Sequence, residues 1–300
     1  NFKLNYENFN EHLIDKEETS IGYTSKDSVN QESFYYSYNL LNDKIQKISK
    51  RDKDDNPLAF NAKVNAFIVE YNKESDDLYK PNSKLKIVTK ENSFVIDSTL
   101  SQNDKVKFSN SGTYICLMKG KAIKIIDWKK KKELLSYNFT SYDNKNIFQI
   151  NNNNFIVSGT NEETQSNVSF FITEINGEFK IKELKDGLVL SADYKNNQLA
   201  ILFEDGLVFN GKSYKINSLD GFATSISLNS DASKMFVNFS NGKSRLLETK
   251  TFKWLNTIIN FPDNKSLIFN TKGKYYSNFQ DVNDYLFLTK SNKRYTLTEY

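Results

Sequence analysis

A serine or cysteine nucleophile needs a histidine within hydrogen-bond reach. This chain has one histidine, His12, in a polar stretch that reads as a solvent-exposed loop. Its one cysteine, Cys116, alternates with Tyr114 and Met118 in an apolar run and reads as a buried, inert thiol. A single cysteine and a single histidine cannot build a zinc site. No Gly-x-Ser-x-Gly elbow, phosphate-binding glycine loop or dinucleotide fingerprint occurs. The sequence therefore predicts no catalytic residue, no cofactor and no metal.

Carboxylates are plentiful, and a pair of them can hydrolyse a glycosidic bond. That keeps a hydrolase or carbohydrate-binding module using surface acids as an alternative. The nearest thing to an Asp box, Asn229-Ser230-Asp231-Ala232-Ser233, lacks its glycine and tryptophan. Asp52-x-Asp54-x-Asn56 opens like a calcium loop. Pro57 stands where that loop needs its turn glycine, and Lys63 where it needs its bidentate glutamate. The stretch reads as a connection between repeat units.

The densest charge is basic: Lys119, Lys121, Lys124 and Lys129 to Lys132, beside Trp128. Such a cluster suits an acidic protein or a nucleic acid. It equally suits a solvated hairpin tip that blunts an exposed sheet edge. Trp128, Lys129, Lys130, Lys131 and Lys132 are thus the candidate partner-binding residues.

The elements that position these residues are strands. The 300 residues include 14% aromatics, too many for a disordered chain, and only 3 prolines. With 41 basic and 37 acidic residues the net charge is +4. That balance is unlike a chain whose main partner is a phosphate backbone. No run approaches the roughly 18 apolar residues of a membrane span. A lone cysteine mildly favours a reducing compartment, so an intracellular, soluble, monomeric protein is expected. The chain begins at Asn1 and not at Met, which leaves a processed or excised piece, including a secreted one, open.

Seven hairpins recur along the chain, their turns centred near 42, 91, 130, 176, 211, 250 and 292, at steps of 35 to 49 residues. In the fourth, Asn176-Gly177 is the strongest short hairpin signal, because both residues accept positive φ. An apolar strand precedes each hairpin, and a further short strand precedes most of those, beginning with 2–6 and 58–61. The stretch 9–18 has some helical spacing but reads as a loop between strands. Each unit thus holds four short strands, with approximate bounds 1–50, 57–100, 104–140, 145–185, 188–220, 222–258 and 264–300. Repeats of about 40–45 residues, each a four-stranded sheet apolar on both faces, predict an all-β, seven-bladed β-propeller in one domain. The polar stretches 72–82 and 159–167 are the longest rim loops in that reading.

The third unit, VKFSNSGTYICLMKGKAIKIIDWKKKKELLSY (106–137), resembles a WD-repeat blade. Phe108, Ser109, Gly112, Ile123, Ile125 and Asp127 fall on the pattern, with the Trp-Asp dipeptide reversed as Asp127-Trp128. The sixth unit, 226–255, is similar but weaker. No unit carries a Gly-His pair, so the Asp-His-Ser/Thr-Trp network of many WD blades is missing. The resemblance implies a non-catalytic scaffold that binds another protein or a flanking domain. A nucleic-acid-associated scaffold, as in ribosome-assembly complexes, is the other alternative.

Overall fold

The structure, a computed structural model, describes residues 11–14, 19–26, 32–72, 83–99, 104–138, 142–150, 153–161, 164–184, 187–216, 221–261, 265–272, 274–279, 287–290 and 293–296. These form antiparallel sheets in two compact units, Asn1–Val189 and Leu190–Tyr300.

The first unit holds four sheets of four strands each, all consecutive in sequence. Sheet A is β1 (Glu11–Ile14), β2 (Ser20–Lys26), β3 (Ser33–Asn39) and β4 (Lys44–Lys50). Sheet B is β5 (Asp55–Asn61), β6 (Ala66–Asn72), β7 (Ser83–Val88) and β8 (Ser93–Thr99). Sheet C is β9 (Lys105–Phe108), β10 (Tyr114–Lys119), β11 (Ala122–Asp127) and β12 (Lys132–Asn138). Sheet D is β13 (Tyr142–Gln149), β14 (Phe155–Asn161), β15 (Asn167–Ile175) and β16 (Glu178–Glu183).

The middle strands show why the sheets stack. Along β10, Ile115 and Leu117 enter the core shared with sheet B, while Cys116 and Met118 enter the core shared with sheet D. Along β6, Ala66 and Ile68 face sheet C, while Phe67 and Val69 face sheet A. Successive side chains point to opposite faces, so a strand apolar at every position needs a cover on both sides. Outer strands carry their charge outward: β4 reads KIQKISK and β16 reads EFKIKE. Such edges resist pairing with another chain.

Polar staples reinforce the stack between sheets A and B. The Asp55 carboxylate is buried at the start of β5. It accepts from the Tyr35 hydroxyl at 2.8 Å and pairs with Lys86 Nζ at 2.7 Å. Lys86 also reaches Asp52 at 2.9 Å. Arg51 Nη1 donates to Thr24 Oγ1 at 3.0 Å, and Nε donates to the Asp55 carbonyl at 3.1 Å. Beside this network Gly22 lies against the Phe60 ring so closely that a Cβ would sit 2.4 Å from it.

The second unit holds sheet E, of β17 (Val189–Lys195), β18 (Gln198–Phe203), β19 (Gly206–Phe209) and β20 (Lys212–Tyr214). Sheet F follows with β21 (Ala223–Leu228), β22 (Lys234–Phe239), β23 (Lys243–Glu248), β24 (Lys253–Asn260), β25 (Ser266–Asn270) and β26 (Tyr275–Ser277). β27 (Phe287–Lys290) and β28 (Lys293–Thr296) pair as a hairpin. Sheets E and F share a core of Leu202, Leu207, Ile226, Met235, Val237 and their neighbours. Asp193, buried in β17, accepts the Leu228 amide at 2.7 Å.

Several expectations are corrected. Residues 11–14 form a strand, not a loop, because Leu13 packs against the core of Tyr35, Phe60 and Phe67. They complete sheet A, where the sequence places 2–6, which lies outside the described residues. The second sequence repeat, expected over 57–100, starts earlier than 57, since Asp55 is drawn inward by Tyr35 and Lys86. The fifth hairpin turns at Asn210-Gly211, both at positive φ, rather than at Gly211-Lys212. The fourth turns at Asn176-Gly177 as expected, with φ of 54° and 83°.

The seventh unit departs furthest. Its first two expected strands, now β25 and β26, extend sheet F. The cause lies in β24, KWLNTIIN, whose six central residues are half-buried and uncharged. Beyond Lys253 this outer strand lacks the lysines and glutamates that blunt β4 and β16, and its uncharged stretch pairs Ile258 with Ile268 and Ile259 with Leu267.

Two outcomes test the A–B stack. Gly22→Val should destabilise the protein by about 1–3 kcal/mol through overpacking, measured by urea unfolding. Burial, together with the Asp55 charge, raises the Tyr35 pKa. Burial lowers that of Lys86, but its bonds to Asp55 and Asp52 outweigh this and leave it raised. Both groups hold their protons more tightly when folded. Their contribution is complete below the unfolded values of about 10 and is lost as pH rises through the folded ones. Stability should therefore fall steeply above about pH 10, and Tyr35→Phe should make that fall shallower.

Candidate functional site

Two turns in different sheets are built on the same plan, and the candidate Trp128 caps one of them. After β9, the Ser109 amide donates to the Tyr114 carbonyl at 2.8 Å, and Gly112 donates back to Ser109 at 2.9 Å. After β21, Asn229 and Lys234 repeat the first bond at 3.1 Å, and Ala232 and Asn229 the second at 2.9 Å. Gly112 and Ala232 both take positive φ, 74° and 56°. Each turn carbonyl is then capped from the far end of the third strand. Trp128 Nε1 donates to Gly112 O at 2.7 Å, and Thr249 Oγ1 donates to Ala232 O at 2.7 Å. Trp128 follows Asp127 as Thr249 follows Glu248, so an indole and a hydroxyl do one job at matching places.

The Trp128 ring is 2% exposed and packs edge-on to Phe94, centroids 5.2 Å apart. Its neighbours include Ile68, Leu85, Ile87 and Leu117. The structure thus makes Trp128 chiefly an anchor of the B–C core. The next residues differ. Lys129, Lys130 and Lys131 on the turn between β11 and β12, and Lys132 at the start of β12, are all exposed. Asp127, buried, accepts the Lys130 amide at 3.1 Å and pairs with its ammonium at 3.4 Å. Lys131 takes the positive φ, 53°, that tightens the turn. Lys129 Nζ lies 5.3 Å from the Trp128 ring centre. A buried, bonded base therefore holds an exposed row of charge at the surface.

Sequence reasoning missed what lies beside this row. The turn between β5 and β6 brings Val64 and Asn65, and the turn between β7 and β8 brings Thr89, Lys90, Glu91 and Asn92. With Phe94, Trp128 and Lys129 they enclose a cleft of about 260 Å³. Turns between first and second strands, and between third and fourth, recur on the same side of each sheet. The repeat itself was the signal that Lys90 and Lys129 would meet.

The other candidates stand as follows. Cys116 is buried, and burial alone drives its thiol pKa far above the ordinary value, so it is not a nucleophile at neutral pH. Asp52 and Asp55, in the failed calcium loop, are engaged with Lys86. Of the loop 72–82, residues 73–82 lie outside the described residues, and so do 162 and 163 of the loop 159–167. Among the described residues no three His, Cys, Asp or Glu side chains gather as metal ligands would. No helix among them is long and apolar enough to cross a membrane.

No family model matches the chain, and no curated protein matches it in sequence. Solved structures do resemble it. A eukaryotic initiation factor superposes with a TM-score of 0.51 at 7% identity, covering 90% of this chain and 87% of that one. Kluyveromyces lactis Hsv2 superposes with a TM-score of 0.44 at 12% identity, over 80% of each chain. The likeness to the initiation factor and the antiparallel four-stranded sheets fit a β-propeller fold.

Trp128→Ala should cost about 3–5 kcal/mol of stability, the usual loss for a buried ring. Replacing Lys129 to Lys132 with serine should leave the melting transition nearly unchanged, because exposed ion pairs contribute at most about 1 kcal/mol. Thermal unfolding of both variants checks this separation of base from rim.

Proposed function

We propose that this protein is a non-catalytic protein-interaction scaffold. In this reading the seven repeat units over 1–300 make one WD-type propeller domain, and a partner protein or flanking domain docks on the rim formed by Lys129 to Lys132 above Trp128. The observation that carries the proposal is the division of labour in this turn. Every anchor, from the Trp128 indole to the Asp127 carboxylate, is buried and bonded, while four successive lysines are exposed, with only Lys129 near the ring and Lys130 paired with the carboxylate. A surface held so firmly, with charge in excess of what the fold uses, suits recognition. The fold likeness supports the architecture and says nothing about the partner.

Lysine-directed cross-linking of the tagged protein in its own cell extract, with the cross-linked sites mapped by mass spectrometry, tests this. The proposal expects a protein partner joined to the purified monomer mainly through Lys129 to Lys132. Cross-links that avoid this turn would overturn the assignment. Capture of nucleic acid with an affinity that falls steeply with salt would favour the nucleic-acid scaffold instead.

A further inference from the structure

The cleft below the lysine row has the size and lining to choose what binds there. At about 260 Å³ it is smaller than the roughly 300–1,000 Å³ of clefts that enclose small molecules, and it has room for one large side chain. Its lining is apolar where it meets the core: half-buried Val64 and Phe94, with the buried Trp128 behind them. Asn65, Thr89 and Asn92 offer polar groups at its wall. Its mouth is basic. Lys90 and Lys129 stand on opposite turns, Lys130 to Lys132 continue from Lys129, and Lys63 neighbours Val64; all are exposed. One carboxylate, Glu91, shares the mouth.

Resting on the scaffold reading, we propose that this cleft receives an acidic peptide segment of the partner, with one large apolar side chain inserted against Phe94 and Trp128 and carboxylates flanking it toward Lys90 and Lys129. The two parts of the site do different work. Exposed charge pairs contribute little to affinity but speed encounter and exclude basic sequences. The buried side chain supplies most of the hold. A nucleic-acid strand fits less well. It would need cations spread along a backbone path, and here they crowd around a single apolar pit in a chain of nearly balanced charge.

Fluorescence anisotropy with labelled short peptides tests the proposal on the intact protein. The probes are a peptide with a central phenylalanine flanked by aspartates and glutamates, the same peptide with serine for phenylalanine, the same with serines for the acids, and an oligothymidylate of equal charge. The first should bind, and each of the others should bind about tenfold or more weakly. The pair of changes Lys90→Glu and Lys129→Glu, which turns attraction into repulsion, should weaken binding of the first peptide by about tenfold or more. Asn92→Trp, which fills the cleft from its exposed wall, should weaken it by about tenfold, while Lys44→Glu in β4 should not. Unfolding curves confirm that all variants are folded. Equal binding of the serine peptide or of oligothymidylate, indifference to Asn92→Trp, or no peptide binding at all would overturn the assignment. If peptides fail while a protein partner still cross-links to Lys129 to Lys132, the scaffold stands and only the cleft's ligand falls. If partner cross-links avoid that turn while the peptide results hold, the cleft keeps its ligand class and the scaffold reading falls.

Discussion

Everything in the first unit depends on strands that are apolar on both faces. A four-stranded sheet with Ile115, Cys116, Leu117 and Met118 in succession has no side it can leave to water. It must lie between two others, and sheet C does so, sharing one core with sheet B and another with sheet D. The turns, the polar staples and the lysine rim are consequences of this demand. Stacked sheets force first strands close together, bring turns of neighbouring sheets side by side, and push hydrophilic sequence to the outer strands and the rims.

The demand also decides where polar groups can be buried. Among the described residues each buried carboxylate sits where a strand or turn would otherwise leave donors unanswered: Asp55 under Tyr35 and Lys86, Asp104 on the Gly120 amide, Asp127 under the lysine turn, Asp193 on the Leu228 amide. Buried ionic groups add less stability than their charge implies, because desolvation opposes attraction. Their contribution here is positional. The Asp55 network fixes how far β5 runs and how sheet A meets sheet B. The paired caps Trp128–Gly112 and Thr249–Ala232 show that the fold requires a donor at that place and accepts either an indole or a hydroxyl.

Period-two alternation and turn residues made most of the architecture legible in the sequence. The Asn176-Gly177 turn and the four-strand order of sheets C and D follow from local signals that the packing reinforces. The misreadings arose where a long-range contact overrode local pattern. Nothing near residues 11–14 announces a strand until Leu13 meets Phe60 and Phe67. Nothing in RDKDDNP marks Asp55 as the buried one, since Tyr35 lies 20 residues upstream. β25 and β26 read as the start of a new sheet, and only the uncharged edge of β24 explains why they joined the old one. Of the candidate site, the lysine row was visible as composition. That Trp128 points inward, and that Lys90 faces Lys129 across a cleft, required knowing which turns become neighbours.

The alternation along β6 and β10 has a mechanical consequence. Each of these strands is a party wall: its odd and even residues belong to different cores, and no slack layer separates them. A load applied at one face of sheet C cannot be absorbed by sliding one core past the next, because the same backbone carries both. The first unit should therefore respond to force as a laminate, stiff against compression across its sheets and yielding first at its outer strands, where only one neighbour shares the strain.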